Sequence, residues 1–184
     1  MKKVVLLGDS IRLWGYGPKV PELLGDDFEV WQPEDNCRFA KYTLRGIFDW
    51  QDGIKGADVI HWNNGLWDCT EIFGDGLFTS EKEYIENMTR IARLLLKVTP
   101  NVIFATTTPV WDEFEWTHND KIQRFNEIIV PELKKLGVKI NDLHSAVKKD
   151  IHRYIKECDK IHLSDDGIDI CAKQVVDNIK EILK

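Results

Sequence analysis

Short apolar runs alternate with segments of helical periodicity along the whole chain. The apolar runs have the length and composition of strands buried in a parallel sheet; they are residues 4–7, 28–31, 59–62, 102–106 and 138–140. Between them, apolar residues recur at i, i+3 and i+4, which is typical of an amphipathic helix. The clearest helical segments are 84–95, 122–133 and 168–183.

This alternation predicts an α/β fold. A parallel sheet of about five strands is expected, with helices on both faces, because parallel strands need helical crossovers that cover the sheet. Right-handed crossovers favour a three-layer, doubly wound, flavodoxin-like order. The 184 residues suffice for one sizeable core but are few for two, so a single domain over 1–184 is expected.

Composition narrows the possible partners. The net charge of −6 argues against nucleic acid, because phosphate binding needs a basic face. No apolar stretch approaches the roughly 20 residues of a membrane span, and the first run is too short for a signal peptide. We therefore expect a cytoplasmic protein. Its cysteines lack zinc-site spacing and are expected to be free thiols, with no metal bound; they are Cys37, Cys69, Cys158 and Cys171.

The first candidate for chemistry is Ser10. The first apolar run stops at Gly8-Asp9-Ser10, which places a hydroxyl at the carboxyl end of a strand, where open parallel sheets bind ligands. Gly8 is expected to let the backbone turn sharply there. Taken alone, the serine is equally well explained as a turn or helix-cap residue.

A candidate base lies near the other end of the chain. Serine needs a neighbouring base to act as a nucleophile, and histidine oriented by a carboxylate suits that role. His162 follows Asp159 by three residues, so both side chains can meet within one loop. The alternative is a surface aspartate and a solvated histidine. Of the other histidines, His61 is expected in the core; the rest are expected to be solvated: His118, His144 and His152.

A third candidate for chemistry directly follows the predicted strand at 59–62. Asn63, Asn64 and Gly65 follow that strand, at the same predicted sheet edge as Ser10. An asparagine amide there can donate a hydrogen bond to a developing oxyanion. Asn and Gly are also the usual residues of a plain turn, and the two interpretations are compatible.

Together these elements resemble the SGNH (GDSL-type) hydrolase superfamily. Gly8-Asp9-Ser10 matches its first block, and residues 159–163 match its last block, Asp-x-x-His, followed by a turn and a final helix. The resemblance extends from residue 4 to about 180. It implies a Ser-His-Asp triad of Ser10, His162 and Asp159, and an oxyanion hole partly built from the Ser10 backbone N–H.

Two blocks depart from the family pattern. Gly65-Leu66-Trp67-Asp68 stands where the family has Gly-x-Asn-Asp, so a tryptophan occupies the place of the oxyanion amide. An indole N–H can donate, but Asn64, followed by Asn63, is the favoured donor. The second block supplies a backbone N–H, usually from glycine. Residues 36–43 contain no glycine, and Ala40 is the nearest match by spacing.

The resemblance implies an esterase that needs no cofactor. We expect hydrolysis of a small ester through an acyl-enzyme, with an O-acetylated carbohydrate as the leading candidate substrate. Five tryptophans fall in or near segments that follow predicted strands and could stack on a sugar or line an acyl pocket: Trp14, Trp62, Trp67, Trp111 and Trp116. The alternatives are a non-catalytic SGNH-like or flavodoxin-like domain that binds a glycan or small ligand, and an acyltransferase with the same triad.

Overall fold

Five parallel strands form one sheet in the computed structural model, which describes residues 1–184. Their order across the sheet is β2-β1-β3-β4-β5. The bounds are β1 Lys2–Leu7, β2 Phe28–Trp31, β3 Val59–Trp62, β4 Val102–Ala105 and β5 Lys139–Asn141. The predicted α/β class and the five predicted strands are confirmed. β3 and β4 are wholly buried, which explains why they read as continuous apolar runs.

Helices cover both faces of the sheet. Their bounds are α1 Val20–Leu24, α2 Ala40–Asp49, α3 Gln51–Ile54, α4 Glu81–Leu96, α5 Asn119–Lys135, α6 Leu143–Lys148, α7 Ile151–Tyr154 and α8 Asp165–Ile182. α4 packs between α2 and α5, whereas α8 packs against α1, α6 and α7. The fold is therefore the expected three-layer α/β/α arrangement. None of these helices is long and apolar enough to cross a bilayer.

The strand register brings two loops together. β1 lies between β2 and the central strand β3, and Leu7 pairs with Trp62. The segments that follow these two residues therefore leave the same edge of the sheet at the same level. One begins with Gly8 and leads to Ser10, and the other begins with Asn63.

Candidate active site

Ser10 follows β1 closely and immediately precedes a short helical segment, Ile11–Tyr16, which is kinked at Gly15. Asp9 shapes this turn, because its Oδ1 accepts a hydrogen bond from the Ile11 N–H at 2.9 Å. The Asp9 carbonyl also accepts from the Leu13 N–H at 2.9 Å. Ser10 is only 6% exposed, but its hydroxyl borders a cavity. The turn thus presents the serine at the sheet edge.

Ser10, His162 and Asp159 form one chain of hydrogen bonds. The Ser10 Oγ lies 2.9 Å from His162 Nε2, and His162 Nδ1 lies 3.0 Å from Asp159 Oδ2. The other Asp159 oxygen accepts from the backbone N–H groups of Ile161 at 3.1 Å and His162 at 2.9 Å. Lys160 adopts a left-handed conformation with φ of 64°, which tightens the loop between the acid and the histidine.

The Asp159 carboxylate is suited to orienting the histidine. Burial would raise its pKa, but the hydrogen bonds from two backbone N–H groups and from His162 outweigh burial and lower it. The side chain is therefore ionised at neutral pH and can stabilise an imidazolium. Trp14 packs edge-on against the His162 ring at 5.3 Å between centroids, which limits the ring's other orientations.

A buried polar network lies beneath Ser10. The Asn63 amide donates to Asp9 Oδ1 at 2.8 Å, and its oxygen accepts from the Tyr16 hydroxyl at 2.8 Å. Burial raises the pKa of Asp9. The expected role of Asn63 as an oxyanion donor does not fit these contacts, because both ends of its amide support the turn that carries Ser10.

Gly8 serves this network in a way that differs from the expectation. It does not have a left-handed φ, so the chain does not need glycine for a sharp turn. A Cβ at this position would lie 2.0 Å from the Asn63 side-chain oxygen. Glycine is required here because the Asn63 amide approaches the backbone closely.

Asn64 and Ala40 are also committed elsewhere. Asn64 is wholly buried, and its amide donates to the Arg38 carbonyl at 2.8 Å. The Ala40 N–H begins α2 and donates to both carboxylate oxygens of Asp68, at 3.0 and 3.2 Å. Neither residue lines the cavity beside Ser10. The expected oxyanion roles of Asn64 and Ala40 therefore do not fit the structure, whereas the Ser10 N–H has no protein acceptor and remains available.

The cavity beside Ser10 and His162 has a volume of about 460 Å³. Most of its wall is apolar: Trp14, Leu66, Trp67, Ile72, Phe78, Phe114, Trp116 and Ile161. Three of the five singled-out tryptophans therefore lie on this wall. Trp62 instead packs in the core against Phe104, and the Trp111 N–H donates to the Ile155 carbonyl. An apolar wall next to a hydrogen-bonded serine suits an uncharged substrate.

Arg12 has a structural role that was not predicted from the sequence. This side chain is fully buried and donates to the carbonyls of Gly8 at 3.1 Å, Pro33 at 2.9 Å and Asp35 at 2.7 Å. It thereby ties the loop after β2 to the segment that carries Ser10. The position of Arg12 two residues after the serine was a weak signal, because solvated arginines are common in loops.

A second, larger groove of about 530 Å³ lies elsewhere, beside α5 and β5. It contains Asp142, His144 and Ser145, but these groups form no Ser–His contact. Ser145 Oγ donates to Asp142 at 2.6 Å, and His144 Nδ1 lies 2.9 Å from the Thr107 carbonyl. His144 is thus partly buried and hydrogen-bonded rather than fully solvated as expected.

The remaining expectations concern thiols and His61. All four cysteines are free, and no group of three or more His, Cys, Asp or Glu side chains is arranged to hold a metal ion. His61 is buried, as predicted, with Nε2 3.1 Å from the Asn141 amide. Burial lowers the pKa of His61 to about 3, so the ring is neutral and structural.

Comparison with solved structures identifies the fold. No protein-family model and no curated protein sequence matches the chain. A lipase/acylhydrolase from Enterococcus faecalis superposes with a TM-score of 0.80 at 20% identity, covering 100% of this chain and 98% of that one. A GDSL-like lipase from Bacteroides thetaiotaomicron gives 0.76 at 20%, covering 98% and 88%. An acetylxylan esterase from Geobacillus stearothermophilus gives 0.76 at 14%, covering 97% and 94%. The chain has the fold of the SGNH (GDSL-type) hydrolases.

Proposed function

We propose that the protein is a serine esterase that hydrolyses a small ester through an acyl-enzyme. The observation that carries this proposal is the continuous chain of hydrogen bonds from Ser10 through His162 to Asp159, at the edge of an open cavity. This order supplies a nucleophile, a base and an orienting carboxylate. The acylhydrolases and esterases among the structural neighbours support the same reaction class.

The geometry leads to a two-step mechanism. His162 Nε2 takes the Ser10 proton as Oγ attacks the ester carbonyl, and Asp159 stabilises the resulting imidazolium. The backbone N–H of Ser10 is one of the donors that hold the tetrahedral oxyanion. His162 then protonates the departing alcohol, which leaves an acyl group on Ser10. Water, deprotonated by His162, attacks this acyl group and releases the acid and the free serine.

The leading candidate substrate is an O-acetylated carbohydrate. Two kinds of observation support it. Acetylxylan esterases are among the structural neighbours, and Trp67 and Trp116 are 41% and 50% exposed on the cavity wall. Half-exposed aromatic rings can stack on the apolar face of a sugar while its hydroxyls stay in water.

Labelling with a fluorophosphonate probe tests the proposal. The wild-type protein is expected to label and to hydrolyse p-nitrophenyl acetate, and Ser10→Ala is expected to do neither. Ser145→Ala is the matched control, because it removes a serine hydroxyl that bonds to an aspartate instead of a histidine. Unlabelled, inactive wild-type protein would refute the esterase and favour a binding domain. Acyl transfer to an added alcohol in preference to water would identify an acyltransferase.

A further inference from the structure

In the proposed reaction, the Ser10 N–H is the only donor to the oxyanion identified so far. Each preorganised donor contributes a large share of the stabilisation of an oxyanion, so we expect a second donor beside the Ser10 N–H. Three of the four expected donors bond to other groups and do not line the cavity: Asn63 bonds to Asp9, Asn64 to the Arg38 carbonyl and Ala40 to Asp68. A second donor must therefore come from another group on the cavity wall.

Trp67 is placed to be that donor. It belongs to the turn that follows β3, on the same cavity wall as Ser10. The turn is held at several points. Thr70 Oγ1 donates to the Trp67 carbonyl at 3.0 Å, the Cys69 N–H donates to the Gly65 carbonyl at 3.0 Å, and Asp68 is bound by the start of α2. These contacts fix the backbone that carries Trp67.

The indole N–H of Trp67 is also unused. Trp111 is the only tryptophan whose indole N–H is hydrogen-bonded within the protein. Trp67 is 41% exposed, so its N–H can meet a bound substrate. An indole nitrogen is a donor only and never presents a lone pair to an anion. It therefore provides what an oxyanion requires.

We propose that the Trp67 indole N–H and the Ser10 backbone N–H together form the oxyanion hole. This inference rests on the proposed esterase function. It makes Trp67 a catalytic residue that replaces the side-chain amide of a Gly-x-Asn-Asp block with an aromatic donor.

The other donors on this wall fit less well. Trp116 also has a free indole N–H, but it belongs to the loop before α5 and not to the turn that follows β3 beside Ser10. Trp14 packs against His162, on the side of the base. Asn36 has a free amide nitrogen, but only one contact fixes its side chain, a hydrogen bond from the Arg38 N–H at 2.8 Å. Because Asn36 borders the same cavity as Ser10, it is the main rival and is included in the test.

Two substitutions at position 67 distinguish a role for Trp67 as a hydrogen-bond donor from a role in packing the cavity wall alone. Trp67→Phe keeps an aromatic ring and removes the N–H, whereas Trp67→Asn removes the ring and supplies an amide donor. If the N–H holds the oxyanion, Trp67→Phe is expected to lower kcat by about 10²- to 10³-fold with KM within about threefold. The kcat of Trp67→Asn is expected to be at least about tenfold higher than that of Trp67→Phe. Trp50→Phe removes an equally unbonded indole N–H at the end of α2, outside the cavity, and is expected to leave kcat within about threefold.

Steady-state kinetics on p-nitrophenyl acetate and the affinity for a trifluoromethyl ketone give the readouts. The ketone forms a tetrahedral adduct with serine, so its binding is expected to weaken in parallel with kcat in Trp67→Phe. Unchanged kcat in Trp67→Phe, or lower kcat in Trp67→Asn than in Trp67→Phe, would overturn the proposal. A large loss in Asn36→Ala with Trp67→Phe intact would assign the role to Asn36. These outcomes leave the esterase standing, whereas inactive wild-type protein would refute both proposals.

Discussion

Two clusters of serine, histidine and aspartate lie at the carboxyl edge of the same sheet. The first cluster contains Ser10, which follows β1, together with Asp159 and His162, which lie in the loop before α8. The second, composed of Ser145, His144 and Asp142, follows β5. Each borders a cavity of similar size, about 460 and 530 Å³. The two clusters contain the same chemical groups but differ in which group bonds to which.

The sequence in which the groups are hydrogen-bonded makes the first cluster a candidate triad and the second a helix cap. In the first cluster the histidine lies between the serine and the carboxylate. In the second, Asp142 caps α6 by accepting from both the N–H and the hydroxyl of Ser145. Its histidine is bound instead to the Thr107 carbonyl. A serine that donates directly to a carboxylate lacks the imidazole that passes its proton to the leaving group in an acyl-transfer reaction.

The sharpest way to break this comparison is to remove each histidine. His162→Ala is expected to lower kcat for p-nitrophenyl acetate by about 10⁶-fold, because the nucleophile loses its base. His144→Ala is expected to leave kcat within about twofold. Both variants are purified and assayed side by side, with circular dichroism to verify folding. A folded His162→Ala protein with near wild-type kcat would contradict the assignment of the base.

Replacing each aspartate by asparagine gives the next largest effect. Asp159→Asn is expected to lower kcat by about 10⁴-fold, because an amide no longer stabilises the imidazolium or fixes the right tautomer. Asp142→Asn keeps a good helix cap and is expected to leave both kcat and stability nearly unchanged. The kcat of each variant is measured over a pH series. Equal losses in the two variants would show that the carboxylate contributes charge in general rather than orientation of His162.

The same contrast explains which features could be predicted from sequence. The strands could be predicted because continuous apolar runs are typical of buried strands. The pairing of Asp159 with His162 could be predicted because the two residues are three positions apart in one loop. The oxyanion donors were not predictable. The bonds that occupy Asn63, Asn64 and Ala40 reach partners 54, 26 and 28 residues away. Asparagines after a strand look the same in sequence whether their amides face a cavity or a buried carboxylate.

The contribution of the buried polar network beneath Ser10 can be tested by replacing Asn63. Asn63→Ala leaves Asp9 Oδ1 and the Tyr16 hydroxyl without their shared partner in a buried site. The free energy of unfolding is expected to fall by about 2–4 kcal/mol. Urea denaturation measures this change, and kinetics on the folded fraction measures the remaining activity. Wild-type stability combined with a kcat loss of 10²-fold or more would restore Asn63 as an oxyanion donor.

The smallest effect concerns the pH dependence of stability in the second cluster. Burial lowers the pKa of His144, with a smaller contribution from Lys148, and this outweighs the opposing hydrogen bond to Thr107 and the charge of Asp142. A depressed folded-state pKa means that the unfolded chain takes up the proton first as the pH falls below about 6.5, so acid removes stability. His144→Gln cannot take up this proton, and its urea midpoint is therefore expected to fall less than that of the wild type between pH 7.5 and pH 5.5. The buried His61 is present in both proteins and contributes the same acid sensitivity to each. Parallel midpoint changes would show that His144 ionises alike in the folded and unfolded chains, and the second cluster would then have no electrostatic consequence for stability.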